Sequence, residues 1–87
     1  MLRITCTQDV GSRQTHRLEG RLVGPWVGEL RRLCFARLED QQDLTLDLTG
    51  LIFLDREGVA LLRDLLARGV GLEGGSRFVT ELVRGST

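Results

Sequence analysis

Asp47 and Asp55 come nearest to a pair of catalytic carboxylates in this chain. General acid–base work needs two such groups, their pKa values pushed apart in a water-poor pocket. Their positions give each a simpler task. Asp47 ends an alternating apolar stretch, where it can accept bonds from loop amides. Asp55 stands just before a helical pattern, where an aspartate accepts the unpaired amides of the first turn. The one histidine, His16, lies in a strand pattern and is expected at the surface or half-buried. A metal site needs several converging ligands, and none accompany it. Cys6 and Cys34 lack metal-like spacing and are expected to be free, buried thiols. Gly71-Leu72-Glu73-Gly74-Gly75 lacks the lysine of a phosphate loop and the spacing of a dinucleotide fingerprint, so it reads as a turn. No Gly-x-Ser-x-Gly, Cys-x-x-Cys or His-x-x-x-His pattern occurs. An enzyme is therefore not expected, nor a cofactor or a metal.

Composition points the same way. Twelve basic and twelve acidic residues cancel, so no net field drives the chain onto nucleic acid or an anionic membrane. Near neutrality leaves a homodimer open, through the first helix or an edge strand. No apolar run approaches the ~20 residues of a membrane helix. Met1-Leu2-Arg3-Ile4-Thr5 shows no basic region leading into an apolar stretch, so no signal peptide is read and the cytoplasm is expected. An apolar fraction of 41% over 87 residues suits a single domain spanning 1–87.

The elements that would carry these residues follow from periodicity. Leu2, Ile4 and Cys6 alternate with Arg3, Thr5 and Thr7, which predicts a short strand. Gln8 to Gln14 reads as a turn, and Thr15 to Val23 as a second strand. Pro25 then opens a helix with apolar residues at Trp26, Val27, Leu30, Leu33, Cys34 and Leu38, fading by Glu39 or Asp40. Asp43 to Leu48 alternates as a strand, which Thr49-Gly50 is expected to break. Leu51 to Leu54 is a buried connection or a strand extension. A second helix follows Asp55, packing Val59, Leu61, Leu62, Leu65 and Leu66 and ending near Gly69. Val70 to Leu72 forms a last strand. Ser76 caps a final helix packing Phe78, Val79, Leu82 and Val83, and the tail is expected to fray from Arg84.

One stretch is more specific. Leu44-Thr45-Leu46-Asp47-Leu48-Thr49-Gly50, the run Leu51-Ile52-Phe53-Leu54, and Asp55-Arg56-Glu57-Gly58 opening Val59-Ala60-Leu61-Leu62 together resemble the signature of the STAS domain. That fold is shared by anti-sigma-factor antagonists and the cytoplasmic tails of sulfate transporters. The resemblance implies an α/β fold: a four-stranded mixed sheet with helices packed against it, in the order β-β-α-β-α-β-α. It also implies a bacterial signal-transduction module that regulates transcription by switching protein partners. In antagonists of the family, a serine or threonine just before the glycine is phosphorylated by a kinase-like anti-sigma factor.

The chain departs from the pattern at that place. The family's two hydroxyl positions are Arg56 and Glu57, and neither takes a phosphate. Glu57, at the phosphoacceptor-equivalent position, either supplies a fixed phospho-like charge or is an ordinary first-turn acid favoured by the helix dipole. Thr49 and Ser76 carry hydroxyls but do not match the acceptor. The resemblance places a partner-binding surface at Thr49, Phe53, Asp55, Arg56, Glu57 and Val59, with Asp47 and Gly58 as structural support. The expected partner is a kinase-like anti-sigma factor or a related signalling protein. The alternatives are the ATPase subunit of a membrane transport complex, gripped by the same turn, and a small ligand or nucleotide bound near it.

Overall fold

In the computed structural model, which describes residues 1–84, the chain alternates as β1 (Leu2–Val10), β2 (Arg13–Leu22), α1 (Pro25–Glu39), β3 (Asp43–Leu54), α2 (Arg56–Ala67), β4 (Gly71–Glu73) and α3 (Arg77–Arg84). The tail expected to fray lies, past Arg84, outside the described residues. The strands form one sheet in the order β1-β2-β3-β4. β1 and β2 are antiparallel, while β2–β3 and β3–β4 are parallel, so the sheet is mixed. Two successive parallel crossovers lead in one direction across the sheet, and α1 and α2 share one core cluster on the same face.

That face holds the core. Leu18 and Leu22 of β2, with Leu44, Leu46, Leu48, Leu51 and Leu54 of β3, are buried. They meet Val27, Leu30 and Cys34 of α1, Leu61, Leu62 and Leu65 of α2, and Val79 and Val83 of α3 in one cluster. Arg63 of α2 ties down the end of α3. Its guanidinium donates to the carbonyls of Leu82 (2.8 Å) and Val83 (3.0 Å) in the last turn of the described helix. Ser76 caps the other end, its Oγ accepting from the Val79 amide at 3.2 Å.

Several expectations from the sequence need correction, among them the packing of Phe78, which is exposed on α3 while Val79 and Val83 are buried. The first strand runs to Val10, and the turn is only Gly11-Ser12, because Gly11 adopts the positive φ of 62° that so short a hairpin turn demands. Thr49-Gly50 does not end β3. The strand absorbs the break as two irregularities, where its register against β2 slips between Asp47 and Gly50 and again between Leu51 and Phe53. A Cβ on Gly50 would come within 2.6 Å of the Glu19 side chain, so the glycine lets the neighbouring strand lie close. His16 is buried, with Nε2 3.1 Å from Gln14 Oε1, because it shares the inward face of β2 with Leu18. Cys6 is exposed, since β1 is the sheet edge and its register slips just past Cys6. Cys34 is buried as expected, and burial pushes its thiol pKa up to about 12.

Candidate functional site

The carboxyl ends of β2 and β3 lie side by side, Leu22 opposite Leu54, and a helix starts just beyond each. Asp55 joins the two starts. Its Oδ1 accepts from the Gly58 amide at 2.8 Å, which caps α2. Its Oδ2 accepts from the Gly24 amide at 3.0 Å. Gly24 is the N-cap position of α1 and has no side chain to offer that helix. These two amides, Gly24 first, hold the Asp55 pKa below the usual carboxylate value. One carboxylate therefore fixes the entry of two helices.

Gly58 is the second fixed point. It is buried, and a Cβ there would lie 2.6 Å from the Leu22 carbonyl oxygen and 3.2 Å from Leu22 Cγ. The first turn of α2 thus rests directly on the end of β2, and Asp55 N–H donates to that same Leu22 carbonyl at 3.2 Å. Arg56 and Glu57, between the two anchors, are both exposed. Neither takes part in an ion pair among the described residues. Glu57 sits in the first turn of α2, where the aligned peptide dipoles favour its charge. Val59 is half-buried behind them.

Phe53 is on the approach to this turn and stays partly in solvent. The run Leu51–Leu54 is strand throughout, and its slip in register leaves Ile52 (66% exposed) and Phe53 (44% exposed) outward between buried Leu51 and Leu54. Trp26, two residues after Gly24, is also partly exposed at the start of α1. Phe53 was legible as a surface residue, whereas Ile52 and Trp26 were not. The signal for Ile52 is the absence of alternation: four apolar residues in one strand cannot all face the same side.

Thr49 and Asp47 form a separate group further up β3. Asp47 Oδ1 accepts from the Thr49 amide at 3.0 Å and from Thr49 Oγ1 at 2.5 Å. The hydroxyl bond, the amide bond and nearby Arg17 together hold the Asp47 pKa low. The Gly74 turn after β4 packs on this pair, for a Cβ at Gly74 would fall 2.8 Å from Asp47 Oδ1. Of the residues singled out in the sequence, Phe53, Asp55, Arg56, Glu57, Gly58 and Val59 come together at the start of α2. Thr49 and Asp47 meet the β4–α3 connection instead.

This site offers charge and apolar surface on a rigid base. The two carboxylates belong to different groups, Asp55 accepting from the Gly24 and Gly58 amides and Asp47 from the amide and hydroxyl of Thr49. No group of three or more histidine, cysteine, aspartate or glutamate side chains is placed to hold a metal ion among the described residues.

No family model matches the chain, and no curated protein matches its sequence. Among solved structures, the anti-sigma factor antagonist SpoIIAA in its unphosphorylated form superposes with a TM-score of 0.71. The match covers 94% of this chain and 82% of SpoIIAA, at 21% identity. The chain has the STAS fold. The mixed four-stranded sheet and the order of seven elements agree with the expectation drawn from the Leu44–Leu62 stretch.

Proposed function

We propose that the chain is a cytoplasmic protein-interaction module of the anti-sigma-factor-antagonist kind, whose contact surface is the start of α2 and which is not switched by phosphorylation there. One observation carries the reading. The Asp55–Gly58 turn is clamped from behind by the Asp55 and Gly58 contacts, yet presents Arg56 and Glu57 outward without side-chain partners among the described residues. A turn held this firmly while its side chains stay free is preorganised for an external contact. The fold shared with SpoIIAA, an anti-sigma factor antagonist, supports the choice of partner class.

The partner is a kinase-like anti-sigma factor. Phe53 and Val59 supply apolar contact beside the turn, and Arg56 and Glu57 supply charge. A carboxylate at position 57 gives the helix start one fixed negative charge, where phosphate would give nearly two. The module is thus held in a single state. The test is to mix the purified chain with candidate kinase-like partners and ATP, isolate complexes, and measure phosphate by intact mass. A complex with no added phosphate is the expected result. Phosphate on any residue overturns the unswitched state. Capture of a transporter ATPase with no binding to a kinase-like partner reassigns the surface to a transport complex.

A further inference from the structure

β1 is an edge strand, with β2 on one side and, among the described residues, no strand on the other. Which of its backbone groups are free follows from one hydrogen bond. The Met1 carbonyl accepts from the Arg21 amide at 2.9 Å, in register with the Leu2–Gly20 pair that follows. In an antiparallel ladder, bonded and unbonded pairs alternate. The backbone groups of Met1, Arg3 and Thr5 therefore turn toward β2, and those of Leu2, Ile4 and Cys6 turn to the open edge. Beyond Cys6 the register slips at Thr7, which ends the regular edge.

Beside this edge runs a shallow groove lined by Ile4 and Cys6 of β1, His16 of β2 and Leu33 of α1. Glu29 and Arg32, of opposite charge, line its helix side and pair with each other at 3.3 Å. We infer that a second copy of this chain occupies the β1 edge, pairing antiparallel through Leu2–Cys6 about a two-fold axis at Ile4. The register is self-complementary. Ile4 faces Ile4 of the second copy, and Leu2 faces Cys6, so each residue whose backbone groups are free meets another such residue. Arg3 faces Thr5, which avoids the Arg3–Arg3 repulsion that a shift of the axis to position 3 would bring. Two zero-charge protomers do not repel, and the Glu29–Arg32 doublet presents to its copy a rim of both signs. The pairing joins two four-stranded sheets into one and removes the open edge. β2 separates β1 from β3, so the Asp55–Gly58 turn stays free in the dimer.

Sedimentation velocity on the full chain tests this. The wild-type protein is expected at twice its 9.7 kDa mass at micromolar concentration. Cys6→Pro removes an amide from the open edge and not from the β2 ladder, so it is expected to give a monomer with an unchanged circular dichroism spectrum. A wild-type monomer at millimolar concentration overturns the inference, as does a folded Cys6→Pro dimer. Should Cys6→Pro fail to fold, the double variant Ile4→Cys with Cys6→Ser decides. Mild oxidation is expected to link it into a disulfide dimer across the axis, with Cys34 buried and uninvolved. Absence of that link, or an unrelated extended peptide binding β1 of a monomeric protein, overturns the two-fold pairing.

Discussion

Asp55 does more than its place in the sequence suggests. An aspartate before a helix was legible as a cap. The bond to Gly24, 31 residues away in sequence, was not, because nothing local to either residue encodes it. Asp55→Ala is expected to lower Tm by several degrees, about 4–8 °C, through loss of the α2 cap and of the tie to α1. Asp55→Asn is expected to lose less, since its amide oxygen can still accept from Gly58. Thermal melts of the two variants check this order. The titrating residues also set the pH response. A carboxylate held below its ordinary value stabilises the fold above about pH 3.9, and that contribution fades as pH falls toward the lowered pKa. Asp55 and Asp47 both behave so, which places their loss in the acid range below about pH 4. His16 acts at milder pH. Burial first, then Arg37, lowers its pKa below 6.5, with Asp9 opposing. Stability is then full above pH 6.5 and declines as pH drops toward the lowered pKa, because the unfolded chain takes up the proton first. Urea unfolding between pH 7 and about pH 5 is expected to show this slope in the wild type and to lack it in His16→Gln.

At the scale of elements, the helices were legible and the strands less so. α1 and α2 follow apolar residues at spacings of three and four, bounded by Pro25, Asp55 and Gly69, and the described helices keep those limits closely. β3 defeated a local reading. Thr49-Gly50 has the composition of a turn, yet pairing with β2, which resumes at Gly50 opposite Glu19, carries the strand through it after the β4 ladder has ended at Asp47. The same slips in register turn Ile52 and Phe53 outward beside the candidate surface. Cys6 and His16 were misjudged for a related reason: burial depends on which neighbour covers a strand, and α1 leaves the β1 edge open. Two substitutions test the element contacts. Gly58→Ala forces a Cβ against the Leu22 carbonyl and is expected to cost about 1–3 kcal/mol, measured by chemical denaturation. Arg63→Ala removes the two bonds to the end of α3. Hydrogen exchange is expected to speed up for amides near the end of α3 while those of α2 change little, because α2 keeps its own core contacts at Leu61, Leu62 and Leu65.

On the scale of the whole molecule, the sheet separates two kinds of surface. One face is covered by three helices and holds the core, and the other carries half-buried and charged residues such as Arg17, Thr45 and Asp47. The candidate contact surface lies at the end where β2 and β3 deliver α1 and α2, the position at which sheets with parallel strands commonly meet their ligands. The edge of β1 is separated from β3, the strand that leads into this surface, by β2. The STAS fold was legible from Leu44–Leu62, because an apolar strand with an internal aspartate followed by an Asp-x-x-Gly helix start is a local pattern. The role of Glu57 was not, because its charge is equally at home in any first helical turn. Only a partner distinguishes the two. The most direct measurement is the change in amide resonances of the labelled chain on adding a kinase-like anti-sigma factor. Shifts centred on Phe53 to Val59, weakened about tenfold or more in affinity by Glu57→Arg without loss of fold, are the expected result, a change of about 1.4 kcal/mol in binding. Shifts confined to residues away from the start of α2, or an affinity that Glu57→Arg leaves unchanged, contradict the assignment of that turn as the contact surface.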